Sequence, residues 1–89
     1  MLFMRVLTEL EKTILLAFLV LAKDRYLPED DLVFRFPTRQ RKIVRRYIKK
    51  LEKLNLVEKH PKKKSYRLTK DGMKRALRLL HEGARMLSL

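Results

Sequence analysis

The chain has no cysteine and no tryptophan, and only two glycines and three prolines. The missing cysteine excludes disulfides, a thiolate nucleophile and thiolate metal sites. Two glycines cannot build a Gly-rich phosphate loop. The only histidines, His60 and His81, stand far apart. A lone histidine beside a turn proline is more often a surface residue or a strand end than a ligand. No serine or threonine has an evident base. Asp30-Asp31 could be imagined as a metal site, but placement at a helix N-terminus explains both. The expectation is therefore no enzyme, no catalytic residue, no metal and no cofactor. Long apolar runs are missing too. The longest, Ile14 to Ala22, has nine residues, against the roughly 20 that a membrane span needs. The first residues lack the charged start, apolar stretch and small-residue cleavage site of a secretion signal. A soluble, cytoplasmic protein is expected. No low-complexity linker and no internal repeat divides the chain, so residues 1–89 read as one domain. A domain of this size buries only roughly 60–65% of the surface of its unfolded chain, and oligomerisation is the remaining common way to add buried area.

Acidic residues are also scarce. There are 10 Asp and Glu against 23 Lys and Arg, a net charge of +13. The imbalance is local. Arg35 to Arg75 holds 17 basic and 3 acidic residues, a net of +14, and the rest of the chain is at −1. Such a lopsided window is the footprint of a polyanion binder. One Gln, one Asn and no Cys fit a thermophile, whose surface can be lysine-rich. Thermophile surfaces, however, usually mix both signs into ion-pair networks. A window of one sign repels itself and calls for a counter-charge.

Periodicity gives the elements. Thr8-x-x-Glu11 has capping-box spacing and opens a helix over about residues 8–24. Leu10, Ile14, Ala17, Phe18, Leu21 and Ala22 form its apolar face, and Leu15, Leu16, Leu19 and Val20 make it apolar nearly all round. Pro28 suits the first turn of a short helix to Phe34, with Glu29, Asp30 and Asp31 at its positive end. Phe36-Pro37 breaks the chain. Thr38 then caps a third helix running to Leu54. Ile43, Val44, Tyr47, Ile48, Leu51 and Leu54 fall on one arc of it, and Asn55 suits a left-handed cap. Leu56–His60 and Ser65–Thr69 read as strands joined by Pro61-Lys62-Lys63-Lys64. Thr69 caps a last helix over about residues 70–87, with a stripe of Met73, Ala76, Leu77, Leu80, Ala84 and Leu87. Gly83 weakens it near its end. The fold expected is mainly α with a small β-hairpin, in the order α-α-α-β-β-α. That order is the winged-helix version of helix-turn-helix.

The candidate contacts follow. On the third helix, Arg39, Lys42, Arg45, Arg46, Lys49 and Lys53 lie opposite the core arc with no acid among them. The DNA major groove admits an α-helix, which reads bases near its N-terminus. Thr38, Arg39 and Lys42 stand there, and Arg39 and Lys42 are the candidates for base contact. Arg45, Arg46, Lys49 and Lys53 would meet phosphates. The turn lysines Lys62, Lys63 and Lys64, with Lys59 and Arg67 on the strands, would neutralise further phosphates and release counterions. The plainer reading makes both sets solvated surface. Few aromatics are present and none interleaves with the lysine turn, which disfavours single-strand stacking platforms.

Residues 38–72 resemble bacterial and archaeal winged-helix regulators of the broad group that holds the MarR and PadR families. The resemblance lies in Leu51-x-x-Leu54-Asn55-Leu56-Val57-Glu58, where Asn55 replaces the more frequent glycine, and in Tyr66-Arg67-Leu68-Thr69-Lys70-Asp71-Gly72. It implies that helix 38–54 enters the major groove of double-stranded DNA and that residues 59–67 form the wing. It weakens before Pro37. It also implies a twofold homodimer built from flanking helices. Leu77, Leu79, Leu80, Leu87, Leu89, Met73 and Met86 exceed what one small core needs, and could pair with Leu15, Leu19 or the Met1–Leu7 arm. The competing reading closes the monomer core with the same residues. Function divides between a sequence-specific, nucleoid-associated transcriptional regulator and an architectural binder of DNA or RNA. A protein–protein adaptor is a third possibility.

Overall fold

The computed structural model describes residues 7–87, with side chains described for residues 7–83. In chain order the elements are α1 (Glu9–Ala22), β1 (Leu27–Pro28), α2 (Glu29–Val33), a 3-10 turn (Thr38–Gln40), α3 (Arg41–Lys53), β2 (Val57–Lys59), β3 (Ser65–Leu68) and α4 (Lys70–Leu87). The protein is mainly helical with a small antiparallel sheet, as the periodicity implied. Among the described residues, no helix is long and apolar enough to cross a membrane.

The sheet has three strands, not two, in the order β1-β3-β2. In the β2–β3 hairpin Val57 faces Leu68, Glu58 faces Arg67 and Lys59 faces Tyr66. Val57, Tyr66 and Leu68 turn inward and are buried. The unexpected strand is β1, which pairs Leu27 with Tyr66 and Pro28 with Ser65. Two residues are too few to show alternation, and one of them is proline, which sheets tolerate at an edge. Pro28 therefore precedes α2 as a strand residue instead of opening it, and α2 shrinks to five residues.

The capping box of α1 forms as its spacing implied. The Thr8 backbone N–H donates to Glu11 Oε1 at 2.8 Å, and the Glu11 N–H donates to Thr8 Oγ1 at 3.2 Å. The buried face of α1 is Ile14, Leu15, Phe18, Leu19 and Ala22. Leu10, Ala17 and Leu21, expected inside, lie half-buried on its flank. On α3 the core positions are Val44, Ile48 and Leu51, all fully buried. Ile43 is 38% exposed, and Tyr47 and Leu54 are half-buried. The buried arc is narrower than the apolar one.

Thr38 does not cap α3. It sits inside the 3-10 turn behind Pro37, whose extended ψ of 148° takes the cap position, and no side chain caps that turn. An N-cap needs extended backbone at the capping residue. At the other end of α3, Asn55 has φ 62°, the left-handed residue that the sequence placed there. Around it the chain is tied tightly. Thr69 Oγ1 donates to Asn55 O at 2.7 Å, and the Gly72 N–H donates to Thr69 Oγ1 at 3.0 Å. Thr69 thus caps α4, as expected, and fastens it to the end of α3.

Candidate nucleic-acid interface

At about 100° per residue, Lys42, Arg46, Lys49 and Lys53 fall within roughly 60° of arc on α3. All four are exposed. They lie opposite Val44, Ile48 and Leu51, and no acid shares the arc. Burial of that apolar triad turns the four cations outward together. Arg39, also exposed, stands in the 3-10 turn just ahead.

Arg45, also expected to meet phosphates, differs in already having acidic partners within the chain. Its angular position is on the flank of the stripe, and it is half-buried. Nη1 lies 2.6 Å from Glu29 Oε2, and Nη2 lies 3.0 Å from Asp30 Oδ1. The hydrogen bond to Asp30, reinforced by Glu29, raises the Arg45 pKa above its ordinary value against a smaller opposing effect of desolvation. Its charge is therefore matched inside the fold, where it clamps α2 onto α3. Lys50, by contrast, was not among the expected contacts. It is exposed at the other edge of the stripe, with its Nζ 4.8 Å from the centre of the Tyr47 ring. Its place four residues after Arg46, one helical turn on, was the available signal. Arg41, just ahead of the stripe, donates from Nε to the Phe36 carbonyl at 3.2 Å and lies over the Phe34 ring.

On the hairpin, Lys59, Lys62, Lys63 and Lys64 are all exposed. Arg67 is half-buried and partnered. Its Nε donates to Glu58 Oε1 at 3.0 Å, and its guanidinium lies 4.6 Å over the Tyr26 ring. The Glu58 hydrogen bond raises its pKa as well. Of the two strand cations expected to meet phosphates, then, Lys59 is the better exposed. The lysine turn itself is held in place. The Glu29 N–H donates to the Lys64 carbonyl at 2.9 Å. Glu29 therefore touches both basic elements, the turn through its backbone and α3 through its carboxylate on Arg45. This link between the two was not legible in the sequence, where Glu29 read only as a helix-end charge.

A second feature lies between α1 and α4. The α4 residues Gly72 and Ala76 are buried, and Leu79 packs partly against the core. One residue further on, Met73, Leu77 and Leu80 form a parallel row, of which Met73 packs partly against the core while Leu77 and Leu80 are exposed. Leu77 is 49% and Leu80 51% exposed. With Leu19, Val20, Lys23 and Asp24 they line an open groove of about 530 Å³. Val20, 73% exposed, was missed as a surface residue because the whole of its helix reads as apolar. Leu15 is fully buried, so it serves the core and cannot meet a partner. The side chains of Met86, Leu87 and Leu89, and the arm before Leu7, lie outside the described residues, whereas Leu7 itself is in the core. The chain matches no protein-family model, no curated protein and no solved structure.

Proposed function

We propose that the protein binds double-stranded DNA, with α3 in the major groove and the lysine turn as a wing on the phosphate backbone. The carrying observation is the acid-free stripe of Lys42, Arg46, Lys49 and Lys53, exposed along one narrow line of a well-packed helix. A stripe of that width suits a groove better than general solvation does, because an ordinary exposed face intersperses glutamates. The order of α1, α2, α3, the β2–β3 hairpin and α4 supports a winged helix-turn-helix reading, and so does the resemblance to MarR- and PadR-type regulators. On this reading β1 adds a third strand beside the hairpin. Arg39 and Lys42 face the bases, and Arg46, Lys49, Lys53, Lys59 and Lys62–Lys64 face phosphates. Lys50 joins them, and Arg45 and Arg67 support them from within. The role is binding, not catalysis.

The protein works as a homodimer on this reading. Met73, Leu77 and Leu80 are spaced four and three apart, and Ala84 and Leu87 continue that spacing in the sequence. A four–three apolar row is the seam that another helix fills. A second copy brings the same row, so the contact is self-complementary. Twofold pairing would set two α3 helices about 34 Å apart, on successive major grooves.

Selection of bound sites from a random duplex pool tests sequence reading. A sequence-specific regulator enriches an inverted repeat, whereas an architectural binder enriches nothing. Arg39→Ala or Lys42→Ala should then cost about 1–3 kcal/mol on the preferred site and relax it at particular positions. Replacing Lys62, Lys63 and Lys64 together by Ala should weaken all duplexes alike. Uniform loss in every variant would favour the architectural reading.

A further inference from the structure

The turn that carries Lys62, Lys63 and Lys64 is built against its own charge. Three successive cations repel, and lysine side chains offer no acceptor for the backbone N–H groups of the turn. Proline at 61 has no N–H to give. Yet the turn has both ends fastened. At its far end the Lys64 carbonyl accepts from the Glu29 N–H. At its near end the His60 N–H donates to the Ser65 carbonyl at 2.8 Å, closing the loop. Inside the loop, His60 Nδ1 accepts from the backbone N–H of Lys62 at 3.0 Å and of Lys63 at 3.2 Å. The imidazole is half-buried and held edge-on to the Tyr26 ring, with centroids 4.7 Å apart and planes at 73°. Tyr26 in turn lies under the Arg67 guanidinium. The ring that caps the turn is thus itself fixed by the sheet's outer face.

We propose that His60 is the positioning residue of the DNA-facing lysine turn, holding it ready through the lone pair of Nδ1. The assignment rests on the reading that this turn meets phosphates. Two N–H donors on one nitrogen require a lone pair there, so the ring proton sits on Nε2. Nδ1 is attached to Cγ, as Oδ1 is in asparagine, and asparagine makes the same kind of bond to the backbone two residues on. The chemistry therefore names its own substitutes. Asn puts an acceptor where Nδ1 stands. Gln puts one a bond too far out, and Ala puts none. Where the turn is ordered beforehand, binding need not order three long side chains and their backbone together.

The test uses the full chain. Amide exchange at Lys62 and Lys63, the 15N signals of the His60 ring, and affinity for a duplex are measured in the unaltered protein and in His60→Ala, His60→Gln and His60→Asn. The unaltered ring should show an unprotonated Nδ1. His60→Ala and His60→Gln should lose protection at both amides and bind duplex about tenfold more weakly, the loss expected from one or two net hydrogen bonds. His60→Asn should restore both. A proton on Nδ1, or protection at Lys62 and Lys63 that survives His60→Ala, would overturn the assignment. So would freed amides with unchanged affinity, and a Lys62/Lys63/Lys64→Ala control then locates the failure. If that control loses affinity, the role of His60 is wrong. If it binds as before, the turn is no DNA contact and that part of the binding mode fails.

Discussion

Single atoms decide more than composition suggests, and the two glycines show it. A Cβ on Gly72 would fall on the Leu56 carbonyl oxygen and 2.8 Å from its carbon, whereas at Gly83 nothing lies within 4 Å. The first contact is with backbone, which cannot step aside as a side-chain tip can. Gly72→Ala should therefore destabilise the protein by about 2–3 kcal/mol through overpacking. Gly83→Ala should stabilise it by up to about 1 kcal/mol through helix propensity. Urea denaturation of the two variants checks both signs, and equal effects would contradict the close approach. At this scale the sequence was legible where one residue's chemistry sufficed. Thr8 and Glu11 cap each other, Thr69 caps α4, and Asn55 takes the left-handed turn. It was not legible where the partner is remote. His60 read as a surface residue or strand end because its acceptor role depends on how the chain folds back after Pro61. The need for Gly72 comes from Leu56, 16 residues earlier, brought near by the hairpin.

Among the elements, α3 was the most legible, because a period of 3.6 sorts its residues into a buried line and a charged one. What periodicity cannot show is which charges are matched from outside. Arg45 and Arg46 are neighbours in sequence with different tasks. Arg45 bonds the buried Glu29 and the exposed Asp30, and those acids had a sufficient local explanation at the start of α2. Arg46 projects into solvent. Arg45→Ala leaves a buried carboxylate without its partner, a situation that is strongly destabilising. Thermal unfolding should show a clear fall in Tm for Arg45→Ala and almost none for Arg46→Ala. Duplex affinity measured well below both transitions should fall for Arg46→Ala. The reverse pattern of stability would mean that Arg45 does not clamp α2 to α3. Because the guanidinium pKa is raised, the charged form of Arg45 favours the fold at every pH below its ordinary titration, and this contribution fades only as alkali titrates the folded group. β1 escaped sequence reading for a different reason: two residues, one of them proline, carry no alternation.

The whole molecule adds assembly and field. Exposed Leu77 and Leu80 beside Val20 leave apolar surface that a second copy would cover, so Leu80→Glu or Val20→Glu should give a monomer in sedimentation at micromolar concentration while keeping helical content. DNA affinity should fall with the dimer, since each protomer would bind without its partner's contacts. If the unaltered protein sediments as a monomer of 10.8 kDa both free and on DNA, the dimer and the inverted-repeat site are wrong together. The leucine excess at the two chain ends was visible in the sequence, but which leucines stay exposed was not, since that depends on how α4 settles against α1. The charge of +13 was visible from the start, and most of its excess stands exposed on α3 and the lysine turn. Duplex binding measured across a range of salt concentrations tests this field most directly. If roughly 6–10 phosphates are met per dimer, the logarithm of the binding constant should fall against the logarithm of salt with a slope of about −5 to −9. A slope near zero, or no duplex binding even at low salt, would contradict the claim that this surface is made for DNA.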